Sequence, residues 1–389
     1  MNSMLNTEVD VRSLTFEMTK RLKVYLAKLV ERKGSDLHIK SGATVKGRIF
    51  GDIVEISNDI ISKEDSLILV KELLRSRFGE LVKQKSVDFT FKLNDNYNFR
   101  ANIFFQMDGV SCVFRTIPAK IPSVKSLRLP NVIYDFCSLN RGLVLVTGPT
   151  GSGKTTTLAS MINEINHRRS KHIITIEDPI EFIFKDQKCI VNQRAIGQDA
   201  LNFSDALRAA LREDPDIILV GELRDMETIE TAIHAAETGH LVLSTLHTMD
   251  AKETINRLIN MFPGNEQNRI KLSLASVLQG VLSQRLVKKV GKGRVAAVEI
   301  LVRNARIESL ILEGRENEIV DAIKDGKGTY KTQTFDQALF DLYRLGIIEK
   351  KEAYLNATNR NDLKLQIDML EDSNGESSEF SIGIKKAVR

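Results

Sequence analysis

No apolar run in this sequence exceeds strand length; the stretch Asp216-Ile217-Ile218-Leu219-Val220-Gly221 is typical of the longest. A bilayer-spanning helix needs about 20 consecutive apolar residues, so no membrane span is expected. Cysteine is scarce: Cys112, Cys137 and Cys189 stand far apart without a C-x-x-C pair. A zinc ribbon has no support, and reduced, buried thiols are the expected state. Strong net charge is also lacking, since 56 Lys and Arg face 51 Asp and Glu for a net +5. That balance suits an acidic surface such as the inner face of a membrane. Without a dense basic cluster interleaved with aromatics it makes no case for nucleic acid. The start, Met1 to Asp10, lacks a basic end followed by an apolar stretch, so the expected compartment is the cytoplasm. No repeat of fixed period is visible.

What is there describes an ordinary soluble protein, with 42% hydrophobic and 28% charged residues in 389. That length suggests two or three domains. Helical spacing runs from about Leu14 to Arg32 and again from Glu64 to Phe78, among alternating segments such as Val87 to Phe91 and Phe99 to Phe104. Residues 1–115 therefore read as a small α+β domain. Pro118, Pro122 and Pro130 mark 116–130 as a linker. Strand-like and helix-like pieces then alternate over 131–262, as a parallel sheet with crossover helices requires. Helical patterns dominate 263–370, and 371–389, with Ser-Asn-Gly-Glu-Ser-Ser, reads as a disordered tail.

The most informative segment is Gly148-Pro149-Thr150-Gly151-Ser152-Gly153-Lys154-Thr155, followed by Thr156. It fits G-x-x-x-x-G-K-[ST] between an apolar strand, Gly142 to Val146, and a helix-like stretch, Thr155 to Ile165. Its glycines let backbone N–H groups curl around a phosphate, and the helix N-terminus adds its positive dipole end. Lys154, read as an exposed charge on a preformed loop, can reach the β- and γ-phosphates. Thr155 can ligate Mg²⁺. This is a nucleoside triphosphate site.

Three further segments carry suitable chemistry. Ile173-Ile174-Thr175-Ile176-Glu177-Asp178-Pro179 is an apolar strand ending in carboxylates. Ligands sit at the carboxyl ends of parallel strands, so Glu177 can orient and deprotonate an attacking water; a solvated, capping acid is the alternative. Asp214 to Glu222 is a Walker B pattern, with Glu222 able to hold Mg²⁺ directly or through water. Glu237-Thr238-Gly239-His240 to His247 is a strand with a histidine at each edge. His247 can donate to a γ-phosphate, although a strand-end histidine is commonly structural. About 23 Å of extended chain separates the two histidines, too far for one ion.

In order and spacing these boxes, with Leu211-Arg212-Glu213 ahead of the Walker B strand, resemble the secretion and type IV pilus motor ATPases. The resemblance covers about Gly34 to Leu370. Gly34-Ser35-Asp36-Leu37-His38 and Phe114-Arg115-Thr116-Ile117-Pro118 make it similar to the retraction branch, PilT and PilU. Extension and secretion motors usually carry a four-cysteine zinc site and a larger N-terminal region, and the resemblance leads neither to be expected here. Gln193-Arg194 and Ala206 to Asp216 read like PilT, whereas Thr334 to Tyr343 and Asn361 to Ile367 look like PilU. Ala305 to Gly314 stands where PilT carries A-I-R-N-L-I-R-E.

The resemblance implies a RecA-like parallel-sheet ATPase domain, a smaller PAS-like N-terminal α+β domain and a helical C-terminal region. It implies Lys154 and Thr155 as phosphate and Mg²⁺ ligands, Glu177 as catalytic base, Glu222 as Walker B acid and His247 as a γ-phosphate contact. Arg100 and Arg115 become arginine fingers, acting in cis or in trans; surface arginines are the alternative. The implied activity is Mg²⁺-dependent ATP hydrolysis by a homo-oligomeric ring, a hexamer, on the cytoplasmic face of the inner membrane. It would power pilus retraction and twitching motility through a platform protein, with a paralogous retraction ATPase as a further partner. Two readings compete: an accessory, PilU-like subunit riding on another motor, and a RecA-like nucleic-acid motor, which the charge pattern does not support.

Overall fold

The computed structural model describes residues 9–94, 96–117 and 120–372. Pro118 of the expected linker, most of the expected tail and the first eight residues lie outside that set. The chain forms two compact units.

The first unit comprises residues 9–121 with two later returns of the chain, Glu177–Lys185 and Gln193–Asn202. Its sheet contains β1 (Asp36–Lys40), β2 (Ala43–Ile49), β3 (Asp52–Ile61), β4 (Ser86–Asn94), β5 (Tyr97–Gln106) and β6 (Gly109–Ile117). The order is β3-β2-β1-β6-β5-β4, antiparallel throughout. Along β5 a period of two buries Phe99, Ala101 and Ile103 and turns Arg100 to the other face. The buried face packs with helix α1 (Glu17–Glu31), whose Met18, Leu22, Tyr25, Leu26 and Leu29 form one apolar stripe. Helix α2 (Lys63–Leu74) is capped by Ser62, whose hydroxyl accepts from the Asp65 N–H. The helical stretch expected to run on to Phe78 breaks at Arg75, where φ is 52°, and α3 (Phe78–Gln84) restarts it. The break lets Phe78 and Leu81 bury completely. The expected linker also begins as strand, since the Thr116 N–H donates to the Ser35 carbonyl at 2.9 Å.

The second unit comprises residues 122–176, 186–192 and 203–372 of the described chain. A short helix α4 (Val132–Cys137) leads into β7 (Gly142–Thr147), α5 (Lys154–Arg168), β8 (His172–Glu177) and β9 (Ile190–Ala195). Then follow α6 (Phe203–Ala210), β10 (Ile217–Val220), α7 (Met226–Glu237), β11 (Leu241–Leu246), α8 (Ala251–Asn260) and α9 (Gln267–Val277). With two later strands, β12 (Leu278–Lys288) and β13 (Arg294–Val302), the sheet order is β13-β12-β7-β11-β10-β8-β9, and β12, β7, β11, β10 and β8 are mutually parallel. Every residue of β7, β10 and β11 is buried, which explains their unbroken apolar runs.

The fold class is the expected one, but the sheet continues past Phe262. Strands β12 (Leu278–Lys288) and β13 (Arg294–Val302) lie inside the span read as helical. Buried Ser283 and Gln284 interrupt the apolar pattern of β12, and its parallel partner β7 is distant in sequence. Beyond β13 the chain is helical, beginning with α10 (Ala305–Glu313). Phe335, Leu339, Leu363 and Ile367 from this region pack against Val287, Val295 and Ala297 of the two strands. All three cysteines are free and buried, and burial pushes the Cys112 and Cys137 thiols up to about 12. Among the described residues no helix is long and apolar enough to cross a membrane.

Candidate active site

The parallel strands deliver their carboxyl ends to one edge of the sheet, where β7 runs into the glycine loop. Gly148, Gly151 and Gly153 take φ values of 138°, 81° and 92°, a region that only glycine enters without strain. At Gly148 space is also decisive, because a Cβ would stand 2.5 Å from the Gln284 carbonyl oxygen. Pro149, Thr150 and Gly151 are exposed, whereas Thr155 and Thr156 are half-buried in the first turn of α5.

Two features of this loop suit an oxyanion. The Ser152 Oγ is buried and, among the described residues, has no hydrogen-bond partner, an unmet donor inside the cradle. Lys154 is not the exposed charge expected from sequence: only 8% exposed, its Nζ donates to the Gly148 and Pro149 carbonyls at 2.8 and 3.2 Å. The loop's glycine-shaped backbone turns those carbonyls toward the ammonium, which is thereby held at the mouth of α5.

His247 and Glu222 join the same cluster. Lys154 Nζ lies 3.4 Å from His247 Nδ1, and His247 Nε2 lies 3.2 Å from Glu222 Oε1. An ammonium can only donate, so Nδ1 accepts and the ring proton on Nε2 faces the carboxylate. The other Glu222 oxygen pairs with Arg224 Nε at 2.8 Å, a partner not foreseen from the sequence. His240 behaves differently: its Nδ1 is 2.9 Å from the Ala235 carbonyl at the end of α7, a structural bond. Among the described residues no three His, Cys, Asp or Glu side chains gather to hold an ion.

Glu177, the last residue of β8, is buried at 8% exposure. Gln193 Nε2 donates to its Oε1 at 3.2 Å and to the Phe182 carbonyl at 2.8 Å, while Gln193 Oε1 accepts from the Phe184 N–H at 2.8 Å. Gln193 is thus fixed at both ends. In the sequence this residue figures only in the resemblance; its contact with Glu177 depends on the loop 178–189 returning the chain to the sheet as β9.

In the first unit Arg100 and Arg115 stand directly opposite one another on β5 and β6, both exposed and on the same face. Like charges in register destabilise a sheet, so the pair needs neighbouring anions. Arg115 Nε bonds Asp36 Oδ1 at 2.8 Å; Arg100 faces Asp88 at 3.7 Å and Glu181 at 3.8 Å. Two guanidinium groups side by side make a surface suited to a polyanion.

Comparison with known proteins accords with these boxes. The sequence profile of the family described as Type II/IV secretion system protein matches residues 17–307. The Pseudomonas aeruginosa type IV pilus retraction ATPase PilT is 44% identical over 332 residues, covering 84% of this chain and 95% of that one. The PilU ATPase of the same organism is 36% identical over 354 residues, covering 90% of this chain and 91% of that one. A crystal structure of the pilus retraction motor PilT with bound ADP superposes with a TM-score of 0.79 at 43% identity, over 88% of this chain and 98% of that one. The chain belongs to the Type II/IV secretion system protein family, in its PilT and PilU branch of type IV pilus retraction ATPases.

Proposed function

We propose that this chain is an ATP-hydrolysing subunit of a ring motor, a hexamer, that powers type IV pilus retraction through a membrane platform protein. The observation that carries the reading is the bonded series Lys154, His247 and Glu222 behind a glycine loop with an unmet Ser152 hydroxyl. Greater identity to PilT than to PilU favours the motor over an accessory subunit.

In this reading the loop N–H groups, Ser152 and Lys154 bind the phosphates, and His247 contacts the γ-phosphate. Mg²⁺, held by Thr155 and through water by Glu222, would neutralise charge between the phosphate oxygens. Glu177 orients the attacking water and takes its proton, with one carboxylate oxygen steadied by Gln193. Arg100 and Arg115 stabilise the charge that develops on the γ-phosphoryl group, from the same subunit or a neighbour. The test is Mg²⁺-dependent phosphate release by the purified chain, together with twitching of a deletion strain complemented by wild type or by Lys154→Ala. Turnover that Lys154→Ala leaves intact overturns the site. Normal twitching in the deletion strain overturns the motor role in favour of an accessory one.

The accessory reading keeps one specific support: α10, Ala305–Glu313, occupies the position of the PilT signature with a different sequence. Purified protein without ATPase activity that restores retraction only beside a second motor would establish it.

A further inference from the structure

We infer that Asp36 is a positioning residue that holds Arg115 by its Nε so that the two terminal guanidinium nitrogens stay open to an anion. This rests on the reading of Arg115 as a γ-phosphate contact. Asp36 and Arg115 are register partners on β1 and β6. Their burial is opposite: Asp36 is 6% exposed, whereas the Arg115 side chain is 71% exposed. A flexible cation in solvent is therefore tied to a fixed, buried anion.

The carboxylate is itself held. Oδ1 accepts from Arg115 Nε at 2.8 Å, Oδ2 accepts from the Ser35 hydroxyl at 2.7 Å, and Arg48 Nε stands 4.0 Å from Oδ2. Burial pushes the Asp36 carboxyl up, but the bonds from Arg115 and Ser35 outweigh it and hold it below its ordinary value, so it stays ionised at neutral pH. Use of Nε is the telling detail. A carboxylate usually engages the paired fork of an arginine, and that mode would occupy the nitrogens a phosphate needs. Here, among the described residues, neither terminal nitrogen of Arg115 makes a hydrogen bond. Without Asp36 three arginines, Arg48, Arg115 and Arg100, would share a row across adjacent strands with their central anion gone. Repulsion would then turn Arg115 away from Arg100.

The experiment is a double-mutant cycle of Asp36→Asn and Arg115→Ala, read as the ratio of affinities for a non-hydrolysable ATP analogue and for ADP. A general folding defect moves both affinities and leaves the ratio alone. Asp36→Asn is expected to lower the ratio about 10-fold and kcat about 10²-fold, as a misplaced group does. It should have no further effect once Arg115 is alanine, and Asp36→Glu should recover part of the loss. Independent losses in the two backgrounds, or an unchanged ratio in Asp36→Asn while Arg115→Ala loses discrimination, overturn the positioning role alone. Full discrimination in Arg115→Ala overturns the arginine reading itself and the inference with it.

Discussion

The imidazole of His247 stands between Lys154 and Glu222, 3.4 Å from the ammonium and 3.2 Å from the carboxylate. One residue thereby connects the phosphate loop to the Walker B strand. Replacing it should break that connection without removing the phosphate cradle. His247→Ala is expected to cut kcat by about 10²-fold at saturating ATP while ADP affinity, measured by calorimetry, stays near wild type. An unchanged kcat would reduce His247 to a structural strand-end residue like His240.

Lys154→Ala should abolish turnover, since the β- and γ-phosphates lose their cation. Because Lys154 is buried and bonds the Gly148 and Pro149 carbonyls, the variant should also lose about 1–2 kcal/mol of stability. Denaturant titration beside an ATPase assay reads both. Turnover near wild type would defeat the site.

For Glu177→Gln the expectation is retained ATP binding with hydrolysis down by about 10²-fold or more. Gln193→Leu should give a milder loss in the same direction, because it removes one hydrogen bond to Glu177 while keeping the carboxylate. Single-turnover measurements separate chemistry from product release. Wild-type hydrolysis in Glu177→Gln would remove it from the catalytic role.

Arg100→Ala and Arg115→Ala should each lower hydrolysis by about 10³-fold or more and weaken ADP little, ADP having no γ-phosphate. If these arginines couple nucleotide to motion, a distance probe between the two units should shift when wild type binds a non-hydrolysable ATP analogue. In either mutant it should not. Normal hydrolysis and a normal shift in both would make them surface residues.

Glu299 offers a pH test. It is 4% exposed and accepts from the Ala251 N–H at 2.8 Å, and burial pushes its carboxyl from 4.5 up to about 7. Between those values the folded chain keeps a proton that the unfolded chain has released. Stability owed to Glu299 therefore falls as pH rises through that window and levels off above about 7. Glu299→Gln removes the buried charge, so its advantage over wild type should grow from near zero at low pH to on the order of 3 kcal/mol at pH 8. Parallel stability curves for the two proteins would contradict this.

Much of the site was legible because its chemistry is local. The glycine loop, Lys154 and Thr155 are consecutive, and the strand-end positions of Glu177, Glu222 and His247 follow from apolar runs that stop at a polar residue. Backbone geometry over a few residues is enough to specify such features, and a parallel strand buried on both faces can be written only in apolar side chains. The break at Arg75 and the strands β12 and β13 were not legible. A helix ends early when a distant core has room for Phe78, and β12 becomes a strand because β7, far upstream, presents an open ladder of backbone groups. Side-chain partnerships were hidden for the same reason. Arg100 and Arg115 were separate arginines until antiparallel register set them opposite each other, and Asp36, Gln193 and Arg224 acquired their roles only from contacts. Sequence alone determined the nucleotide loop and the family, because both are patterns along the chain. Tertiary structure decided which charges meet, because pairing across strands depends on register, and register is settled by the packing of the whole sheet.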